Sequence, residues 1–133
     1  MKNMLVVTSG IVAMILSTAT IAGPREDLLA QYAAAAKTAS FSAARGQTLH
    51  TQNFSGGKPD TPSCTTCHGK DTRGAGRALT GKTIEPVAVS VTPTRYTDPA
   101  KVEKWFKRNC TEVLGRECTP QEKGDWLTFV ISQ

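Results

Sequence analysis

The pentapeptide Cys64-Thr65-Thr66-Cys67-His68 limits what this chain can fold into more than any other segment. Two cysteines separated by two residues lie on one side of a helical turn, so their sulfurs can bond to the same group. The residue that follows, His68, is then presented to that group as a metal ligand. The pattern C-x-x-C-H is the attachment signature of a c-type haem. It predicts one covalent haem c, held by Cys64 and Cys67, with His68 as an axial ligand of the iron.

The pair C-x-x-C also occurs in thioredoxin-type redox sites and in zinc sites. A thioredoxin-type pair needs a strand-helix-strand context, whereas the residues around Cys64 read as loop and short helix. A structural zinc ion would need all four cysteines, Cys64, Cys67, Cys110 and Cys118. The wide spacing of the second pair does not resemble a zinc knuckle. A zinc-stabilised binding module without redox activity is nevertheless kept as an alternative from a different functional class.

The first 22 residues have the parts of a secretory signal peptide. Lys2 supplies a positive charge, an apolar run covers residues 4–15, and small residues lead up to Ala22. The apolar run is too short to span a bilayer. We predict a signal peptide over residues 1–22, cleavage near Ala22, export to the periplasm and no stable membrane insertion afterwards. The rest, 23–133, is about 110 residues long, the size of one domain, and its cysteines would lie in an oxidising compartment.

Positive charge is in slight excess but is not clustered. The chain has 16 Lys plus Arg against 11 Asp plus Glu, a net charge of +5, and only Lys2 of these charges lies in the predicted leader. Scattered charge gives no indication of a nucleic-acid partner, whereas a mild excess suits docking to an acidic redox partner. Aromatic residues form only 6% of the chain. Because that is thin for a self-sufficient core, a buried porphyrin would supply missing apolar bulk.

Helix-start signals divide the predicted mature chain into helices around a loop-rich middle. Asp98-Pro99 and Thr119-Pro120 each place a capping side chain before a proline at the first helical position. Glu122 completes a capping box with Thr119. Gly and Pro interrupt 53–63 and 70–94, which are predicted as loops. The fold class is therefore all-α. The predicted helices cover 24–37, 42–51, 98–108 and 119–130.

The segment Gly76–Thr83 matches the phosphate-loop pattern G-x-x-x-x-G-K-T. A phosphate loop needs a buried strand before it and a helix after it. Here the segment follows the C-x-x-C-H motif and runs into Ile84-Glu85-Pro86 within a predicted loop. We therefore predict no nucleotide site at this position.

The residue on the other side of the iron is not obvious from composition. All three methionines, at positions 1, 4 and 14, lie in the predicted leader, so the mature chain has no Met thioether to offer. His50 is the only other histidine, and a low-spin electron carrier with His68 and His50 as ligands is an alternative. Asn109 lies where the third long helix is predicted to end, and by that position alone it reads as a C-terminal cap.

Three segments resemble the sphaeroides haem protein family of high-spin class I c-type cytochromes: the pentapeptide 64–68, Thr97–Cys110 and Gly115–Pro120. The resemblance covers most of the mature chain, and the stretch from Trp105 to Cys118 is its most specific part. It implies an all-α, class I cytochrome c-like fold. It further implies Asn109 as the distal iron ligand, a disulfide between Cys110 and Cys118, and a dihaem or other c-type cytochrome as electron donor.

An amide oxygen from Asn109 would be a weak, hard ligand, and iron holds such a ligand least when reduced to the softer ferrous state. We therefore expect Asn109 to leave on reduction and dioxygen, nitric oxide or carbon monoxide to bind at the open position. The predicted function is electron exchange with a partner cytochrome combined with binding of diatomic gases. Catalysis on oxygen or nitric oxide would be an extension of that chemistry.

Several further residues are candidates for supporting roles around the cofactor. Gly46 and Trp126 are expected at a close crossing of two helices, similar to that of class I cytochromes. His68 should donate its second ring N–H to a backbone carbonyl, with Pro86 as the candidate. The candidates for pairing with haem propionates are Arg73, Arg77, Lys82 and Arg95.

Overall fold

The computed structural model describes residues 22–38 and 40–133, so the predicted signal peptide lies outside the described residues apart from Ala22. Within these ranges the chain folds into five α-helices and one two-stranded ribbon. No helix in this part of the chain is long and apolar enough to cross a membrane. The helices are α1 (Pro24–Ala36), α2 (Ala43–Thr51), α3 (Thr65–His68), α4 (Pro99–Leu114) and α5 (Pro120–Ile131), and the strands are β1 (Gly76–Arg77) and β2 (Thr83–Ile84).

The predicted helix starts are confirmed where the sequence carries a capping side chain. Asp98 accepts a hydrogen bond from the backbone N–H of Lys101 at 3.1 Å, which caps α4. Thr119 and Glu122 form the reciprocal capping box at the start of α5. Each cap accepts a hydrogen bond from a backbone N–H group that has no partner within the helix. These helix starts therefore depend only on residues nearby in the sequence.

The predicted end of the third long helix is wrong. Helix α4 continues past Arg108 to Leu114 and ends at Gly115, whose φ of 75° is the left-handed conformation that glycine tolerates. Asn109 therefore lies inside α4 and does not cap it. The buried side chains of Cys110, Val113 and Leu114 continue the apolar face of the helix, and this burial is the physical reason for its extra length.

Helix α2 crosses α5 at the predicted small residue. A Cβ added at Gly46 would lie 2.1 Å from the carbonyl oxygen of Asp125 and 2.7 Å from Cβ of Phe129. The two backbones therefore approach more closely than any side chain at position 46 would allow. Gly46 thus packs against the Asp125–Phe129 stretch of α5, which contains Trp126.

The core lies where α1 and α4 meet α5. Tyr32 of α1 packs edge-on against Phe106 of α4, with ring centroids 6.2 Å apart. The Tyr32 hydroxyl donates to Glu103, and Nζ of Lys123 in α5 donates to the same carboxylate at 2.7 Å. One polar cluster thus joins three helices over an apolar core. The buried apolar side chains include Leu28, Val87, Val102, Leu127, Phe129 and Val130.

The region predicted as loop from 70 to 94 contains a minimal ribbon. Strands β1 and β2 pair antiparallel, with Gly76 opposite Ile84 and Arg77 opposite Thr83. The phosphate-loop pattern thus forms a strand, a turn and a strand, and lacks the helix that a phosphate loop requires. A Cβ at Gly76 would lie 2.2 Å from the carbonyl oxygen of Cys67. Glycine at this position therefore lets the ribbon pack directly against α3.

Candidate functional site

One cavity of about 990 Å³ brings the predicted site residues together. Cys64, Cys67 and His68 line it from α3 and the residue before it, and Asn109 lines it from α4. The apolar lining comes from Leu49, Leu79, Ile84, Val87, Val102, Trp105, Phe106, Val113, Leu114 and Trp126. A largely apolar cavity with a few polar side chains is the usual form of a cofactor site, and its volume lies near the upper end of the range for small-molecule pockets.

The two thiols are held by a turn that begins before α3. The N–H groups of Cys67 and His68 both donate to the carbonyl of Cys64, at 3.3 and 3.0 Å. Both cysteines are half-buried, and neither takes part in a disulfide. Burial raises the pKa of the Cys64 thiol to about 11, so this sulfur is protonated at neutral pH. The turn thus presents two thiols and an imidazole to one cavity.

His68 is a neutral imidazole in this environment. Burial, followed by the proximity of His50 and Arg95, lowers the pKa of His68 to about 4. Metal ligation requires this neutral form. Nδ1 of His68 is buried and has no hydrogen-bond partner among the described residues. The candidate bond from His68 to the carbonyl of Pro86 is not made; this carbonyl accepts instead from Thr92 and Arg95, at 3.0 and 2.7 Å.

His50 is buried behind His68 and does not line the cavity. Its Nε2 lies 2.9 Å from the carbonyl oxygen of Gly69, and Nε1 of Trp126 donates to its Nδ1 at 3.3 Å. Both ring nitrogens are therefore occupied by protein contacts. The alternative with His50 as an iron ligand does not fit this arrangement. The two hydrogen bonds of His50 could not be predicted from the sequence, because the partners are 19 and 76 residues away.

Asn109 is half-buried on the cavity side of α4, next to a disulfide. Cys110 and Cys118 are joined, with Cα atoms 5.5 Å apart, and the bond ties α4 to the segment before α5. The four cysteines are thus divided between two places. In the described ranges no group of three or more His, Cys, Asp and Glu side chains is placed to hold a metal ion. The zinc alternative therefore finds no ligand set here.

The four predicted propionate partners separate into two pairs. Lys82 and Arg95 line the cavity, whereas Arg73 and Arg77 do not. Arg77 instead donates to the carbonyl of Gly81 at 3.2 Å. Three other cations, which were not predicted from the sequence, also line the cavity, from α4 or from the loop before the C-x-x-C-H motif. They are Lys58, Lys101 and Arg108. The helical spacing of Lys101 and Arg108 with Asn109 was the available signal.

These features fit a covalently bound haem. Two thiols and a neutral imidazole line one cavity, and the rest of that cavity is largely apolar. Helices crossing at Gly46 and a loop-rich middle surround that cavity. Fold and site together define a class I c-type cytochrome.

Comparison with known proteins specifies the family within this class. Residues 36–130 match the family described as Domain of unknown function (DUF1924). The chain is 51% identical over 123 residues to the cytochrome c-type protein SHP of Cereibacter sphaeroides, covering 87% of this chain and 95% of that protein. The chain belongs to the DUF1924 family and to the SHP, or sphaeroides haem protein, family of cytochromes, and its cofactor is haem c.

Two solved structures share the fold. The structure of oxidised SHP, described as an oxygen-binding cytochrome c, aligns with a TM-score of 0.80 at 53% identity, covering 82% of this chain and 96% of that one. A solution structure of cytochrome c'' from Methylophilus methylotrophus, described in terms of haem-ligand detachment, aligns with a TM-score of 0.68 at 28% identity. That match covers 82% of this chain and 93% of the other. The class I cytochrome c-like fold predicted from sequence is thereby confirmed.

Proposed function

We propose that this chain is an exported, periplasmic monohaem cytochrome that exchanges electrons with a partner cytochrome and binds dioxygen, nitric oxide or carbon monoxide. The observation that carries the proposal is the position of Asn109. It lines the same cavity as Cys64, Cys67 and His68, in a chain whose only methionines lie in the predicted leader. The oxygen binding of SHP and the ligand detachment described for cytochrome c'' support the same interpretation.

Each site residue has a distinct role in this proposal. The sulfurs of Cys64 and Cys67 would hold the porphyrin, an imidazole nitrogen of His68 would be the permanent ligand of the iron, and the amide oxygen of Asn109 would be a weak, exchangeable ligand. When bound, the haem provides an iron that exchanges one electron and coordinates small ligands. Because a neutral amide is a poor ligand for the softer ferrous ion, Asn109 would be held more weakly by reduced than by oxidised iron.

The backbone that carries Asn109 is held in place by contacts of the residues that follow it. The disulfide at Cys110 fixes the adjacent residue. The carbonyl of Glu112 accepts from the N–H of Lys58 at 2.7 Å and from the hydroxyl of Thr61 at 3.3 Å. Release of Asn109 therefore needs a side-chain rotation and no unwinding of α4. Restricting the motion to one side chain keeps its cost low.

Electron exchange is proposed to occur where the cavity opens to solvent. Two large apolar side chains that line the cavity are exposed there, Leu79 at 63% and Trp105 at 44%. Lys82, Lys101 and Arg108 line the same cavity. Exposed apolar groups and cations at one cavity suit a partner with an acidic rim, and a dihaem or other c-type cytochrome is the proposed donor.

The test is a set of visible spectra of the purified holoprotein and of an Asn109→Ala variant. We expect the wild-type ferrous protein to be high-spin and to bind carbon monoxide. In Asn109→Ala the ferric spectrum should change, and the affinity for an added ferric ligand such as imidazole should rise about tenfold or more because no internal ligand competes. Thr111→Ala, an exposed change on the same helix, is the control and should behave as wild type. A ferrous protein that stayed low-spin and ignored carbon monoxide would exclude the proposal.

A further inference from the structure

We propose that His50 is a positioning residue for the axial ligand. Through a hydrogen bond to the carbonyl of Gly69 it fixes the end of α3, and thereby the orientation of the His68 imidazole. Trp126 selects the tautomer of His50 that can make this bond. The inference rests on the proposed role of His68 as the iron ligand. The hydrogen bonding of His50 assigns no role to Asn109, although the spectra that test it use the reduced form that the proposed function predicts to be open to carbon monoxide.

The tautomer follows from the two contacts of the ring. The indole Nε1 of Trp126 can only donate, and it lies 3.3 Å from Nδ1 of His50, so Nδ1 must accept. The hydrogen of the neutral ring is then on Nε2, which lies 2.9 Å from the Gly69 carbonyl oxygen and donates to it. The direction of both bonds is therefore fixed by the chemistry of Trp126.

The His50 side chain has no freedom to make other contacts. It is fully buried, and its ring centroid lies 5.8 Å from that of Phe129 and 6.3 Å from that of Trp126. Hydrogen bonds made by a buried ring are electrostatically stronger than fully exposed ones. They connect α2, which carries His50, with α5, which carries Trp126, and with the end of α3.

His68 needs such a constraint from outside its own ring. Helix α3 has four residues, and the residue that follows, Gly69, adopts a φ of 73°. Metal-binding histidines are usually oriented by a hydrogen bond from their second ring nitrogen. In the described part of the chain Nδ1 of His68 has no such partner. The anchored Gly69 carbonyl, directly after His68, is therefore a contact that constrains the ligand from outside α3, and the two imidazole centroids are 6.4 Å apart.

Substitution of His50 can separate anchoring from simple packing. The amide nitrogen of a glutamine extends about as far as Nε2, whereas that of an asparagine reaches only the position of Nδ1. His50→Gln should therefore keep the bond to Gly69, and His50→Asn and His50→Leu should lose it. Trp126→Phe keeps an aromatic ring but removes the donor that fixes the tautomer. Leu127→Val, a fully buried change in α5, is the packing control.

The readout is the iron–histidine stretching band in the resonance Raman spectrum of the reduced holoprotein, measured together with the melting temperature. In His50→Leu and His50→Asn we expect the band to broaden and move to lower frequency, while His50→Gln resembles wild type. Leu127→Val should lower the melting temperature without moving the band. If His50→Leu moved the band no more than Leu127→Val does, or if His50→Gln behaved like His50→Leu, the positioning role would be refuted.

A second measurement keeps the test independent of variant folding. ¹⁵N NMR of the reduced, carbon monoxide-bound wild-type protein should show His50 protonated at Nε2 only, and protonation at Nδ1 would contradict the inference. A His68→Gly variant shows whether the Raman band reports His68. If the band persisted in that variant, the ligand assignment under the proposed function would fail, while the NMR result would still decide the hydrogen bonding of His50.

Discussion

The pKa of the Asp125 carboxyl group is set by the residues that pack around it. Its side chain is 6% exposed and accepts hydrogen bonds from the N–H of Ser42 at 2.7 Å and from Nε2 of Gln121 at 3.0 Å. Two guanidinium nitrogens of Arg45 donate to it at 2.7 and 2.8 Å. Burial alone would raise the pKa of Asp125, but these hydrogen bonds lower it below its ordinary value.

We expect Asp125→Asn to destabilise the protein most at neutral pH. Because the folded-state pKa of Asp125 lies below the unfolded value of about 3.9, its contribution is fully present above that value. It is lost as pH falls through the folded-state pKa. Urea unfolding from pH 2.5 to pH 7 should show a difference between wild type and variant that shrinks below about pH 4. Asp60→Asn, an exposed change of the same charge, is the control, and an equal loss there would contradict the assignment.

Among the helices, the crossing of α2 and α5 depends on glycine at position 46, which has no side chain. Gly46 is buried, and its would-be Cβ collides with the backbone of α5, which cannot rotate away as a side chain could. The crossing is therefore specified by a steric requirement. The network around Asp125 lies at the same crossing and fixes the start of α2 through Ser42.

Gly46→Ala should be destabilising although alanine favours helices. The gain in helix propensity is about 1 kcal/mol, whereas forcing two packed backbones apart typically costs about 1–3 kcal/mol and more where backbone atoms collide. We expect a net loss of about 1–2 kcal/mol in the free energy of unfolding, measured with urea. Gln47→Ala, exposed on the same helix, should be neutral or slightly stabilising. A stabilised Gly46→Ala variant would show that the crossing is looser than described.

The end of α4 is held by two independent devices. One is the Cys110–Cys118 bond, and the other is the loop before the C-x-x-C-H motif, from which Lys58 and Thr61 bind the carbonyl of Glu112. Gly57 makes the close approach possible, because a Cβ there would lie 2.2 Å from that same carbonyl oxygen. The loop thus donates to a carbonyl in the last turn of α4, where carbonyls have no partner within the helix.

Replacing Cys110 and Cys118 together by serine should weaken the protein without removing the last turn of α4. A loop closed across a separation of 8 residues gives about 2.5 kcal/mol of stabilisation by chain entropy. Urea unfolding should report that loss, and hydrogen exchange should show that the amides of the last turn of α4 remain protected. If the last turn exchanged freely, the contribution of the loop would be disproved.

For the whole molecule, the cavity is large relative to the protein around it. A space of about 990 Å³ lies within a chain of 133 residues, and its apolar walls belong to α4, α5, the ribbon and the loop before α4. Protein interiors are normally close-packed, and unfilled apolar cavities cost stability. The haem therefore completes the core as well as carrying the chemistry. The thin aromatic composition is explained in the same way.

A haem-free variant should accordingly be far less stable than the holoprotein. We expect Cys64→Ser combined with Cys67→Ser to prevent covalent attachment and to lower the melting temperature by about 15 °C or more, because a tightly bound group stabilises only the folded state. Circular dichroism and calorimetry check this. Thr66→Ala, exposed between the two cysteines, should retain the haem and the wild-type melting temperature. A haem-free form as stable as the holoprotein would show that the core is complete without the cofactor.

Features that depend on residues close together in the chain could be predicted from the amino-acid sequence. The motif Cys64–His68, the capping box at Thr119 and the cap at Asp98 act within a few residues, so spacing alone predicted the haem and the starts of two helices. The absence of methionine from the mature chain and the family resemblance together indicated Asn109. Each of these features is local or compositional, and folding was not needed to recognise it.

Features that depend on contacts between distant segments became known from the fold. The extension of α4 to Leu114 follows from burial of its last turn and from the loop containing Lys58. The chemistry of His50 is set by Gly69 and Trp126, and no spacing rule connects these three residues. Burial, hydrogen-bond direction and pKa all arise from packing across the chain, and for that physical reason a linear reading could not supply them.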